Sequence, residues 1–329
     1  MYVRNVRGSI NMKLNRVFRF RIEYEYDDYD FRLTASIYNF SWYYSGNGIL
    51  KLILDLEYPT IAVARVCGLK ILCIDVYSSA RYEDISEYIE LIRHILGLSE
   101  DLTAFYKLWR TDKLLSKSMS YLAGFRVRAS PLWISLLIGV CQQNASFKQG
   151  WKMLSNLFKL FGESYLIPPF GEVLIPPRPS DIFRINISEL MKAGIGYRAK
   201  TIHNIAEEFV RGNITNDFRD CYNPESLKTI NGVGNYTARL ANVLTYRKYN
   251  EPPIDRWLAK IISHVYNVPV NDTERYWEKY WGSWSGLASI LATIALDAEP
   301  LSKAIKRIDE GLVYPSTNDM SPLNLWRYI

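Results

Sequence analysis

Residues 226–247 read SLKTINGVGNYTARLANVLTYR: a short apolar helix carrying Leu227 and Ile230, a turn at Asn231-Gly232-Val233-Gly234, and a second helix starting near Asn235. Ala238, Leu240, Ala241 and Leu244 fall on the buried side of that second helix at helical spacing. Two glycines one residue apart admit the positive φ of a tight hairpin, and they remove side chains that would hold another backbone at a distance. The amides of the turn and of the first helical turn have no intrahelical partner. They can therefore converge on one anionic oxygen with the helix dipole behind them. Contacts of this kind anchor a nucleic-acid backbone without reading its sequence. Taken by itself, Gly-x-Gly between helices is also an ordinary αα turn.

Downstream, the loop 251–258 (EPPIDRWL) ends at Asp255 and opens a helix that continues through Ala259, Ile261, Ile262 and Val265. An Asp in this position is first of all a helix N-cap. Upstream, residues 134–162 (ISLLIGVCQQNASFKQGWKMLSNLFKLFG) form a helix pair around Gln142, Gln143 and Asn144, a run that in isolation reads as a solvated turn. Gly194-Ile195-Gly196-Tyr197-Arg198-Ala199-Lys200 suits a tight helix entry in the core. Residues 165–181 hold five prolines (Pro168, Pro169, Pro176, Pro177, Pro179), which forbid a continuous helix and predict a loop between helices.

Between Val17 and Val76 the segments FRFRIEYEY, DFRLTASIYNFSWYY, ILKLILDLEY and KILCIDVY are rich in β-branched and aromatic residues and predict an antiparallel sheet. From Tyr82 onward the period becomes helical. The fold class is therefore α+β, with a sheet domain over 1–100 and a mainly helical region over 101–329. The whole chain holds 40 Lys/Arg against 34 Asp/Glu, but residues 1–100 hold 12 against 13, so all the positive excess lies in the helical part. That is the direction expected of a segment that meets a polyanion, and also of a plain solubility surface.

The longest nearly uncharged stretches are about half the length that a membrane span needs. The basic N-terminus lacks the apolar core of a secretory signal, so no membrane association and an intracellular (cytoplasmic or nucleoid) location are expected. Cys67, Cys73, Cys141 and Cys221 are scattered, without a Cys-x-x-Cys pair, and read as packing residues rather than as a zinc site or a disulfide framework.

The pattern Ile-x-Gly-Val-Gly-x-x-Thr-Ala, spelled by Ile230, Gly232, Val233, Gly234, Thr237 and Ala238, resembles the signature of the helix-hairpin-helix (HhH-GPD) DNA glycosylase superfamily. The resemblance is specific from about residue 130 to 300. It implies that the hairpin binds DNA phosphate through Gly232, Val233, Gly234, Tyr236 and Thr237, with Na+ or K+ on hairpin carbonyls near Ile230 and Gly232 and no metal held by side chains. It also implies that Asp255, 21 residues past Gly234, is the catalytic carboxylate. Breaking the bond from C1′ to a base nitrogen develops oxocarbenium character, which a fixed anion stabilises while it orients or deprotonates water.

By the same resemblance, Gln143, flanked by Gln142 and Asn144, fills the gap left by an extruded base. Relatives that form a Schiff base carry Lys two residues past the second glycine, where this chain has Tyr236. A monofunctional enzyme using water is therefore expected. Some relatives bind an iron–sulfur cluster through four C-terminal cysteines. No cysteine follows Cys221, so that cofactor is not expected. The sheet ahead of the helices, with the GIGYRA segment and the proline loop, points to the alkylbase (3-methyladenine) and 8-oxoguanine branches. The expected substrate is duplex DNA bearing a damaged base, most plainly an alkylated purine, with oxidised purine as the alternative and a non-catalytic DNA-binding module as the rival. A monomer is expected.

Overall fold

The computed structural model describes residues 12–80 and 84–329; the basic stretch before Met12, and Tyr82 at the expected change of period, lie outside them. Strands β1 (Met12–Lys13), β2 (Asn15–Glu23), β3 (Leu50–Asp55), β4 (Thr60–Gly68) and β5 (Ile71–Ser78) begin the chain, followed much later by β6 (Glu163–Leu166) and β7 (Glu172–Ile175). Four of them make the expected antiparallel sheet in the order β2-β5-β4-β3. In β3 every second residue is buried, as one core-facing side of a pleat requires.

Three sequence expectations are corrected here. The segment from Asp30 to Tyr44, rich in aromatics and expected as a strand, instead forms α1 (Phe31–Ser36) and irregular turns. The Asp30 carboxylate accepts from the Leu33 amide at 2.9 Å, and that local cap overrides the β propensity. The proline-rich loop contains the β6–β7 hairpin, which β1 joins as a parallel neighbour. Its prolines fall outside the ladder, where their missing N–H groups cost nothing. The cysteines are not all packing residues. Cys67 sits unpaired in the ladder at a bulge between Val66 and Gly68 and forms a disulfide with Cys73 on the adjacent strand, Cys221 is exposed, and only Cys141 lies in the core.

The helical part starts with α2 (Ser86–Leu96), α3 (Thr103–Thr111) and α4 (Met119–Leu122). Next come α5 (Leu132–Gln142) and α6 (Phe147–Phe161). Helix α5 is buried around most of its circumference, the mark of a helix packed on all sides. A capping box between Ser146 and Gln149 starts α6. After the β6–β7 hairpin come α7 (Pro179–Phe183), α8 (Ile187–Leu190), α9 (Arg198–Val210), α10 (Pro224–Leu227) and α11 (Asn235–Tyr246). The chain continues with α12 (Arg256–Tyr266), α13 (Thr273–Trp281), α14 (Ser285–Ala295) and α15 (Leu301–Asp309). Among the described residues no helix is long and apolar enough to cross a membrane.

One core joins the sheet region to the helices, with Leu14, Phe40, Ile61 and Tyr77 packed among residues of α5, α6 and α9. The far face of the sheet packs on α2, while α3 and α12–α15 gather around Trp109, Trp277 and Trp281. The C-terminal stretch returns to the sheet region. The Tyr38 amide donates to the Pro322 carbonyl and the Ser41 amide to that of Ile329, both at 2.8 Å. This crossing of chain ends places residues from both regions around one cleft.

Candidate active site

The hairpin forms as its sequence requires. Gly232 has φ +96°, and a Cβ there would lie 2.1 Å from Thr201 Oγ1 on α9, so both conformation and space demand glycine. Gly234 has extended backbone (φ −98°) and caps α11, and nothing lies within 4 Å of where its Cβ would be. Its role is therefore not conformational. It leaves open space beside the exposed amide end of a 12-residue helix. Asn231, Gly232, Gly234 and Asn235 are exposed, whereas Val233 and Thr237 are buried.

Gln143 ties the α5–α6 turn to this hairpin. Its Nε2 donates to the Gly232 carbonyl at 3.1 Å and to Thr237 Oγ1 at 2.9 Å. Gly139 on α5 permits the close approach, since a Cβ there would lie 2.8 Å from Thr237 Cγ2. The buried Arg198 guanidinium donates to the Gln143 carbonyl and lies over the Tyr197 ring, while Asn144 Nδ2 donates to Tyr197 Oη at 3.4 Å. Asn144 is exposed, with φ +47°. Gln142 turns inward, packs on Gly150, and its Nε2 is buried without a hydrogen-bond partner. The helix-entry segment around Arg198 thus sets the backbone of the turn.

Carbonyls of Ile230 and Gly232 already accept one hydrogen bond each, from the Val233 amide and from Gln143. Each keeps a second lone pair, so the hairpin remains compatible with a monovalent cation. Among the described residues no cluster of His, Cys, Asp or Glu forms a metal site.

Asp255 is the N-cap of α12, and its Oδ1 accepts from the Leu258 amide at 2.8 Å. The residue is accessible to solvent, yet its carboxyl stands in a cleft whose walls strip much of its hydration. That desolvation pushes its pKa up, against the amides of the first turn of α12, which pull it down. The cleft is a cavity of about 540 Å3, lined among others by Tyr38, Gln142, Trp151, Tyr236, Asp255 and Trp257. Trp151 and Trp257 face the cavity, whereas Trp133 is core, donating to the Pro177 carbonyl at 2.8 Å. Trp257 is fixed by Nε1–H donation to the Glu299 carbonyl at 2.8 Å.

Tyr38 and Arg128 were not signalled by the sequence. Tyr38 has φ +50°, a left-handed conformation that costs a non-glycine residue about 1 kcal/mol. It is held there from both sides: its amide donates to the Pro322 carbonyl, and its own carbonyl accepts from Arg128 at 3.0 Å. Arg128 also donates to the carbonyls of Thr34, Ala35 and Ile37 at the end of α1. The Tyr38 ring stacks on Trp151 (5.7 Å, 23°). Burial raises the pKa of both the Tyr38 and Tyr236 phenols, and the Asp255 carboxylate raises them further.

The hairpin thus leaves exposed helix-end amides next to a cleft with one capped carboxylate and aromatic walls. Residues 138–285 match the family model described as HhH-GPD superfamily base excision DNA repair protein. It is 24% identical over 231 residues to the DNA-3-methyladenine glycosylase of Bacillus subtilis, covering 64% of this chain and 72% of that protein. The fold is similar to that of the 3-methyladenine DNA glycosylase from Archaeoglobus fulgidus (TM-score 0.68, 16% identity, 82% and 95% of the two chains). It is also similar to that of the Clostridium acetobutylicum 8-oxoguanine glycosylase/lyase (TM-score 0.62, 18% identity, 85% and 97%).

Proposed function

We propose that this protein is a monofunctional DNA glycosylase that flips a damaged purine, foremost an alkylated one, out of duplex DNA and hydrolyses its N-glycosidic bond with Asp255. The observation that carries this reading is the capped Asp255 carboxylate in an aromatic cavity beside the hairpin. The amides of Gly232, Gly234 and Asn235 hold a phosphate. Na+ or K+ on the carbonyls of Ile230 and Gly232 would add positive charge there. Gln143, with the exposed Asn144 beside it, occupies the gap in the stack, and the extruded base enters the cavity. As the C1′–N bond lengthens, the Asp255 carboxylate stabilises the positive charge on the sugar and takes a proton from the attacking water. The aromatic faces of Trp151, Tyr38 and Trp257 suit an electron-poor base, whose positive charge is attracted to π faces. The name of the Bacillus subtilis relative points the same way.

Tyr236 stands where a Schiff-base lysine would, which supports hydrolysis by water. Lys303 lines the cavity but is paired with Glu299 at 2.5 Å. The test is incubation with duplexes bearing 3-methyladenine, hypoxanthine, 8-oxoguanine or uracil, followed by alkaline cleavage, with Asp255→Asn as control. Base release from the alkylated duplex by the wild type alone supports the reading. Release from no duplex would favour a binding module, and a borohydride-trapped covalent adduct would overturn the water mechanism and direct attention to Lys148, which also lines the cavity.

A further inference from the structure

Two phenol hydroxyls in the cavity have no assigned work. Tyr38 comes from the turn after α1 and Tyr236 from the first turn of α11, so they approach Asp255 from elements about two hundred positions apart in the chain. Neither O–H has a hydrogen-bond partner among the described residues; the hydroxyls of Tyr29, Tyr246 and Tyr249 also lack one but are fully buried away from solvent, whereas these two residues line the cavity and further tyrosines are paired. Tyr43, for example, donates to the Leu174 carbonyl at 2.7 Å and Tyr77 to that of Pro168 at 2.8 Å. A half-buried hydroxyl left unpaired costs stability unless something else meets it. Tyr38 is in addition held in a left-handed backbone conformation by Arg128 and the Pro322 carbonyl, and strain maintained in this way gathers at sites of function. If packing on Trp151 were its whole purpose, phenylalanine would serve equally.

We propose that the O–H groups of Tyr38 and Tyr236 donate hydrogen bonds to the departing base, so that the cavity accepts purines that leave as anions as well as alkylated purines that leave neutral. This inference rests on the glycosylase reading above. An alkylated, positively charged base takes the electron pair of the C1′–N bond and departs uncharged, needing little help. A neutral purine departs with that pair as an anion, and its ring nitrogens and oxygen become stronger acceptors as the bond breaks. Donors preplaced at those atoms are worth more in the transition state than in the ground state. The phenols keep their protons, since burial and the neighbouring carboxylate both disfavour phenolate. Water delivers its oxygen to C1′, one of its protons passes to Asp255, and the base anion is finally protonated at nitrogen, so the sum is one water consumed per base released.

The test is single-turnover release from two duplexes, one bearing hypoxanthine and one 7-methylguanine, by the wild type, Tyr38→Phe, Tyr236→Phe and Asp255→Asn. The expected result is that each phenylalanine variant loses at least tenfold more rate on hypoxanthine than on 7-methylguanine, and that the double variant widens the gap. Equal losses on the two bases would overturn the proposal and leave the rings as walls only. A wild type that releases 7-methylguanine but not hypoxanthine would also overturn it while sparing the glycosylase reading. Release of neither base, with Asp255→Asn indistinguishable from wild type, would instead remove the glycosylase reading itself.

Discussion

The side-chain amide of Gln143 bridges the hairpin, donating to the Gly232 carbonyl and to Thr237 Oγ1, and so ties the turn between α5 and α6 to the glycine loop. Gln143→Ala should cost about 1 kcal/mol of stability through lost hydrogen bonds, readable as a shift in the denaturation midpoint. It should also weaken binding to a duplex with an abasic analogue more than to intact duplex. Equal weakening on both would mean that Gln143 acts only through the hairpin, and Asn144, the exposed member of the turn, would then be the residue to change next.

On the proposed mechanism, ionisation of Asp255 governs the acid limb of activity. Its pKa is raised, mainly by desolvation, so the catalytic anion is lost at a higher pH than for an ordinary carboxylate. Base release should fall as pH drops through that raised value, measured as single-turnover rates across an acid pH series. The sign for stability is opposite. A carboxyl whose folded pKa exceeds its unfolded one binds the proton more tightly in the fold, so its anion weakens the fold at neutral pH and this penalty disappears in acid. Asp255→Asn keeps a capping side chain and removes the charge. Its Tm at pH 7 should equal or exceed that of the wild type while base release is lost. A large drop in Tm would show that the carboxylate is structural.

Much of this region was legible in the sequence because its determinants are local. The hairpin glycines, the helix that starts at Asn235 and the capping Asp255 are each set by neighbours within a few residues. Tyr38 was not legible. Its neighbours read as a strand, and its placement depends on Arg128, Trp151 and Pro322, all more than eighty positions away. The disulfide was missed for a related reason: a pair six positions apart becomes a cross-strand neighbour only once a bulge shifts the β4–β5 register.

The two hairpin glycines should separate cleanly under substitution. Gly232→Ala puts a methyl group against Thr201 in a positive-φ position and should destabilise the protein by about 1–3 kcal/mol, seen in denaturant titration. Gly234→Ala meets open space and an extended backbone. Its fold should be nearly unaffected while duplex affinity falls. Unchanged affinity would show that no backbone approaches there.

Arg128→Met should remove the donor shared by the carbonyls of Thr34, Ala35, Ile37 and Tyr38. Stability should drop by about 3 kcal/mol, as expected for charge-assisted hydrogen bonds to buried acceptors. The Tyr38 ring should also leave Trp151, which tryptophan fluorescence would report. A stability loss with unchanged fluorescence would detach Arg128 from the cavity.

Because the Pro322 carbonyl steadies Tyr38, and Asp319 and Met320 contribute to the same cavity wall, the chamber closes only where two stretches far apart in the chain meet. Cutting the chain before residue 319 would therefore open one side of that chamber while leaving the hairpin's own contacts to Thr201 and Gln143 in place.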